Sequence, residues 1–498
     1  MLSAARGAVA AAASGESGET DESTRCTAPC ESDARCVAPR APGETSDVEH
    51  GYDFGALRAR EFGRLDAHGH AYLDYAATAL YGASQLRDHH ALLADGVFGN
   101  PHSESRPSRD AAAVVDAARR QVLAWFGVDA ASHAVCFTAN ASAAIKLVAE
   151  SYPFGRRAQL VLAADNHNSV NGMREYARRA GAAIGVLPLG GELRLDDAEA
   201  RLAAHAASGG GLVALPAQSN FSGVRHPLGL VARARALGFD VLLDAAAFAP
   251  GHPLSLAECP AEFAVVSFHK LFGYPTSVGA LVARRDALAR LRRPWFAGGT
   301  VAFASVAADV HRLHAGPDGF EDGTPDFLGI AALAGGFALL GEVGMARLAS
   351  RIAGLTGHLV AGLAALRHAG GAPVVRLYGP ATLAERGGTV AFNACDARGA
   401  AVPYAAVEAR ARAAGVALRG GCFCNPGAAE AAFALPPAAL AACLADSGAA
   451  FSPARLGACL GRAVGAVRCS LGPANHRADV DRAVAVVASF ADQIVRPA

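Results

Sequence analysis

Lysine is almost missing from this chain. Of 45 basic residues only Lys146 and Lys270 are lysine, and the rest are arginine. Methionine and tryptophan are also scarce, with three and two residues. Net charge is absent as well, because 45 acidic residues balance the basic ones. That balance excludes nucleic acid or an anionic membrane engaged through bulk charge. No uninterrupted apolar run reaches 18 residues, so no transmembrane helix is expected. The 11 cysteines are mostly scattered singly, Cys422 and Cys424 excepted. Such scatter predicts a reducing, cytoplasmic setting without a disulfide framework. Charged residues make up only 18%, while Ala and Gly abound, a drift that says little about function.

What is present begins after a weak start. Residues 1–50 are rich in Ala, Ser, Glu and Gly and lack a basic start followed by a firm apolar run. They read as a disordered tail. Cys26, Cys30 and Cys36 lie there with no partner pair at zinc spacing, so no metal site is expected. The remainder is long enough for a large core. From residue 134 short apolar runs alternate with amphipathic stretches: "AVCF", "LVLAAD", "AIGVLPL", "LVALPA", "VLLDAA", "FAVVSF" and "GALVAR". This predicts an α/β large domain over 51–340 with a mainly parallel, seven-stranded sheet buried on both faces. A smaller α+β domain is expected over 341–498, joined by the N-terminal segment of the 51–340 range, with 427–463 as an Ala-rich helical insertion.

The polar words fall at the predicted carboxyl ends of the strands, where open α/β sheets bind ligands. They are "TANAS", "DNHNS", "QSN", Asp244 and "SFHK". Lys270 sits between apolar flanks. Its amine, unlike a guanidinium, can lose its proton and form a Schiff base. Asp244 closes an apolar strand and needs a cation or donor; the pyridinium nitrogen of pyridoxal phosphate is such a cation. Standing alone, it is equally a helix cap. His167 suits stacking on a ring, although a loop histidine needs no such role. Small residues at 139–144 open a strand-to-helix turn where an anion is favoured, and Ser142 adds a hydroxyl. Ser267 and His269 are further phosphate donors in reach of the same end.

Taken in order, "AYLDYAATAL", "FGNPHSESRPS", "VCFTANASAAIKLVAESYPF", "DNHNSVNGMREYA", "QSNFSGVRHPL", "LLDAAAF", "SFHKLFGYPTSVGALVAR" and "LRGGCFCNPGA" resemble the fold-type I, class V aminotransferase family of pyridoxal-phosphate enzymes. Within it they are closest to the cysteine desulfurase-like domain of molybdenum cofactor sulfurase. The resemblance implies PLP fold type I, pyridoxal 5'-phosphate as cofactor and L-cysteine as substrate. It makes Lys270 the cofactor-bonding lysine, Asp244 the ring-nitrogen partner and His167 the stacking residue. Asn220 would lie near the phenolic oxygen. Ala141, Ser142, Ser267 and His269 would hold the phosphate. Thr300, in "FAGGTV", would reach the neighbouring subunit's phosphate site, which implies a homodimer. Arg468 would clamp the substrate carboxylate, with Arg419 lowering a thiolate's pKa or helping with substrate. Cys424 would carry sulfur as a persulfide. The position three after Asp244 departs from many desulfurases: it is Ala247. The sulfurase's large carboxyl-terminal domain has no counterpart in these 498 residues. A separate sulfur-acceptor protein or molybdenum cofactor protein is therefore expected. Two other functions stay open: another class V enzyme (aminotransferase, racemase or lyase, selenocysteine lyase included), and a non-catalytic sulfur carrier or scaffold.

Overall fold

The structure is a computed structural model and describes residues 47–49, 51–447, 452–462 and 464–494. The expected tail and Cys26, Cys30 and Cys36 lie outside the described residues. Seven strands build the main sheet: β1 (His133–Thr138), β2 (Gln159–Ala163), β3 (Ala183–Leu187), β4 (Gly211–Pro216), β5 (Phe239–Asp244), β6 (Phe263–Ser267) and β7 (Gly279–Arg284). Each coincides with one of the apolar runs. Their order is β1-β7-β6-β5-β4-β2-β3. All neighbours are parallel except β7, which runs antiparallel to both β1 and β6.

Period-two alternation sorts the strand side chains onto two cores. Val161, Val213, Val241 and Val282 join one. Leu160, Leu212, Leu242 and Leu281 join the other. Burial on both faces explains why these strands read as continuous apolar runs. β3 departs from the pattern, with Val186 exposed, because it is the sheet's edge. "LVLAAD" also ends early as a strand. Asp165 lies past β2, where its carboxylate accepts from His226 Nε2 at 2.9 Å.

Helix α1 (Ala141–Ser151) follows β1, and α2 (Phe268–Phe272) follows β6. Asn140 caps α1 by accepting from Ala143 N at 3.0 Å. Gly279 lets β7 pass against that turn: a Cβ there would meet Asn140 C at 2.4 Å. A hairpin of β8 (Val301–Ser305) and β9 (Val310–Leu313) follows the main sheet.

A second sheet, fully antiparallel, has the order β10 (Val375–Tyr378), β11 (Thr389–Ala394), β13 (Ala466–Ser470), β12 (Arg419–Gly421). Helix α3 (Met345–Ala365) packs against the terminal α7 (Arg477–Ala488). It is the one helix among the described residues long and apolar enough to cross a membrane. It carries Arg347 and Arg351, however, and buries the Leu348–Ile352–Leu355–Leu359 stripe.

The insertion is helical, as expected, with α4 (Pro426–Ala432), α5 (Pro437–Ser447) and α6 (Pro453–Leu460). The expectation of no disulfide needs correction. Cys443 and Cys459 are bonded, with Cα atoms 5.9 Å apart, and join α5 to α6. Two lone cysteines in an Ala-rich stretch carry no local signal of that pairing. Folding the two helices side by side creates it.

Candidate active site

A cleft opens at the carboxyl ends of the parallel strands. Six of the expected residues line it: Ala141, Ser142, His167, Asn220, Asp244 and Lys270. They come from five strand ends that are far apart in sequence, and sheet order brings them together.

Lys270 sits on α2, a five-residue helix whose Phe268, Leu271 and Phe272 are buried. The cost of burial pulls its amine below the ordinary lysine value, partly offset by Asp244. Arg468 acts in the same direction as burial. A lysine so placed loses its proton more readily. Asp244 is 8% exposed, and its Oδ1 accepts from Ala246 N at 3.0 Å. His167 caps a short helical turn, with Nδ1 accepting from Ser169 N at 3.1 Å. Burial first, then Lys270, holds its pKa down. The neutral ring therefore carries its proton on Nε2. Ser142 Oγ lies 2.6 Å from Ser169 Oγ at the start of α1, so two hydroxyls and the first amides of that helix share one corner.

The donor set fits pyridoxal phosphate. The corner of hydroxyls and amides suits a phosphate. Asp244 Oδ1 is held by one backbone bond, which leaves Oδ2 for a protonated ring nitrogen. Gln218 also lines the cleft, and its Oε1 is buried with no protein partner. Ala246 and Ala247 keep the floor small. Gln218 and Ser169 were not singled out by sequence reasoning; their signal lay inside "QSN" and "HNS".

Other expected residues stand off this cleft. Ser267 Oγ and His269 Nδ1 bond each other at 3.0 Å and do not line it. Thr300 is fully buried and closes its own turn, bonding Ala297 N at 2.9 Å and Ala297 O at 2.8 Å. Arg468 and Arg419 are cross-strand neighbours on β13 and β12, and they share one carboxylate, Asp74. Arg419 Nε and Nη2 donate to Asp74 at 3.0 and 2.8 Å, and Arg468 Nη2 donates at 3.2 Å. Arg468 also donates to Asn220 O at 3.0 Å and lies 4.7 Å from the Phe423 ring. Asp74 is thus a functional candidate that sequence reasoning missed. Its only signal was a lone carboxylate inside "AYLDYAATAL". Removing it leaves the buried Arg468 guanidinium poorly compensated. Asp74→Ala is expected to destabilise the fold by about 3–5 kcal/mol in denaturant unfolding, with Asp74→Asn less harmful.

Cys424 is exposed and lies in the loop after β12. Phe423 and Cys424 both adopt left-handed backbone, φ +54° and +55°. Two such non-glycine residues in a row cost free energy. Four hydrogen bonds fasten the loop over the cleft's rim. Asn220 Nδ2 donates to Phe423 O, and Asn168 N donates to Cys424 O, both at 2.7 Å. Asn425 Nδ2 donates to Asp165 O at 2.7 Å and to Asn220 Oδ1 at 2.9 Å. Asn425, fully buried, also caps α4 through Ala428 N. Cys422 is turned toward the cluster of Phe221, Tyr378, Phe423 and Phe433. Burial raises its thiol pKa. The exposed Cys424 is therefore the sulfur free to react.

Comparison with known proteins agrees with this geometry. The sequence model of the aminotransferase class-V family matches residues 71–483. Molybdenum cofactor sulfurase of Arabidopsis thaliana is 36% identical over 417 residues, covering 75% of this chain and 50% of that protein. Its counterpart in Anopheles gambiae is 38% identical over 440 residues, covering 84% and 56%. The chain spans about half the length of the curated relatives it matches. Among solved structures, the apo cysteine desulfurase of Thermococcus onnurineus NA1 superposes with a TM-score of 0.72. That alignment covers 88% of this chain and 97% of that one at 23% identity, which speaks to the fold alone. With its match spanning residues 71–483, the chain belongs to the aminotransferase class-V family.

Proposed function

We propose that this protein is a pyridoxal-phosphate-dependent cysteine desulfurase of the molybdenum cofactor sulfurase type. It takes sulfur from L-cysteine onto Cys424 as a persulfide and releases alanine. The observation that carries this reading is the pinned loop. Asn220 lines the cleft beside Lys270, and its side chain also holds the backbone of Phe423, next to Cys424. One residue thereby ties the reactive cysteine to the lysine's cleft.

Pyridoxal phosphate bound in the cleft supplies an electron sink for the substrate's Cα. The chain's own residues do the rest. Lys270 Nζ bonds the cofactor and moves the substrate α-proton. Asp244 holds a proton on the ring nitrogen, and His167 presents a flat neutral ring against the cofactor. Asn220 is assigned to the phenolic oxygen. Ala141 and Ser142 hold the phosphate through amide and hydroxyl donors, with Ser267, His269 and the partner's loop around Thr300 as the remaining phosphate contacts in this proposal. Arg468 orients the substrate carboxylate, with Asp74 and Arg419 fixing the guanidinium. The Cys424 thiolate attacks the substrate sulfur: a new S–S bond forms as the Cβ–S bond breaks, and the carbon fragment leaves as alanine.

A homodimer follows the same reading. Trp295, Phe296, Phe303, Val306 and Val310 are all exposed in and next to the β8–β9 hairpin, which supports an apolar contact there. Sedimentation equilibrium is expected to give twice the chain mass; a monomer at micromolar concentration contradicts it. The proposed setting is the cytoplasm, where the Cys424 thiol stays reduced. The sulfur acceptor is proposed to be a separate protein, one holding molybdenum cofactor included. The test is a cysteine-to-alanine assay on purified protein with an acceptor protein present and omitted. Alanine and transferred sulfur in equal amounts support the reading, and no alanine refutes it.

A further inference from the structure

Lys270 faces two cavities. Beyond the cleft already described, a second cavity shares four lining residues with it: Gln218, Ala246, Ala247 and Lys270. The small side chains of Ala246 and Ala247 form the common wall. The second cavity is also lined by His252, Thr389 and Ser470.

His252 has no part in the proposed chemistry, yet it is unusual. It is 8% exposed, and its Nε2 is buried with no protein partner. Its backbone N donates to Phe248 O at 3.1 Å, and its ring lies 5.0 Å from that of Phe248. Gln218, which lines both cavities, likewise has a buried and unpartnered Oε1. Buried polar atoms without partners are rare, and each calls for an explanation. A cavity lined by such atoms holds water that partners them. Burial, then Arg225, brings the His252 pKa down to about 4, so the ring is neutral and one nitrogen can accept.

We propose that His252 is a positioning residue for Lys270: together with Gln218 it binds water in the second cavity, and through that water it holds a proton of the Lys270 amine. Lys270 also feels Asp244 from β5, Arg468 from β13 and Cys424 from the loop after β12. His167 and His269 face it as well. None of these lies on the His252 side of the second cavity. The water there gives the amine a hydrogen-bond partner that the cleft does not supply. It also stands where Ala247 leaves space. The proposal deepens the role given to Lys270 above, but it is tested without turnover, so the two fail separately.

The scarcity of lysine makes the test clean. Lysine labelled with ¹³C at Cε, in the full chain freed of cofactor, gives two side-chain signals, and Lys146→Arg assigns them. Loss of an acceptor for the charged amine lowers its titration midpoint. His252→Leu is expected to lower the Lys270 midpoint by about one pH unit, whereas His252→Gln, which keeps a hydrogen-bonding side chain, stays within about 0.3. The Lys146 midpoint does not move in either variant. The proposal is overturned if His252→Leu leaves Lys270 unchanged, or if both variants shift it equally, which marks a packing effect. Should the leucine variant fail to fold, Gln218→Leu is read the same way: a lowered midpoint supports the proposal and an unchanged one overturns it.

Discussion

Lys270→Ala and Lys270→Arg are both expected to lose turnover by about 10³-fold or more. The arginine variant is the more instructive of the two. This chain uses arginine at nearly every basic position, so its folding and solubility tolerate guanidinium groups throughout. At 270 the requirement is different. The amine must lose a proton at ordinary pH, and the cleft already drives it that way through burial. A guanidinium keeps its proton under the same pressure. Stability is expected to hold in the alanine variant, because it removes a desolvated amine while the flanking Phe268, Leu271 and Phe272 stay buried. Thermal unfolding beside steady-state kinetics checks both halves. Unchanged kinetics in either variant contradict the role given to Lys270.

Cys424→Ser is expected to abolish alanine formation to a similar extent, by about 10³-fold. Serine keeps the shape and the exposure, and the four hydrogen bonds that pin the loop all involve backbone or asparagine atoms. Only the nucleophile changes. Proton exchange at the substrate Cα into deuterium oxide is expected to continue, since Lys270, Asp244 and His167 remain in place. That split separates the desulfurase from its rivals: an aminotransferase, racemase or lyase on the same cleft would keep its turnover in Cys424→Ser. Cys422→Ser is expected to have a much smaller effect, because Cys422 packs into the aromatic cluster and its thiol pKa is raised by burial.

Much of this was legible in the sequence, for a physical reason. Strands buried on both faces must be apolar throughout, so all seven main-sheet strands announced themselves. Ligands bind at the carboxyl ends of such strands, so the polar words just past them pointed to Lys270, Asp244, His167, Asn220 and Ser142, and these line one cleft. Partners set by distant chain crossings were not legible. Asp74 and Arg468 lie 394 residues apart, and no local pattern joins them. Gln218 and His252 matter through what Oε1 and Nε2 lack, a partner, which only the packed fold reveals. The Cys443–Cys459 bond arises from two helices folding together. β3 was overread as buried because periodicity does not reveal which strand will be the edge.

The account's central claim is that sulfur passes from cysteine to Cys424. The most direct measurement is intact and peptide mass spectrometry of the purified protein, as isolated and after brief exposure to L-cysteine, with alanine quantified in the same sample. The account predicts one added sulfur on the peptide carrying Cys424, none on Cys422, and at least one alanine formed for each sulfur added. An unmodified Cys424 with no alanine, or alanine formed at full rate in Cys424→Ser, would contradict it.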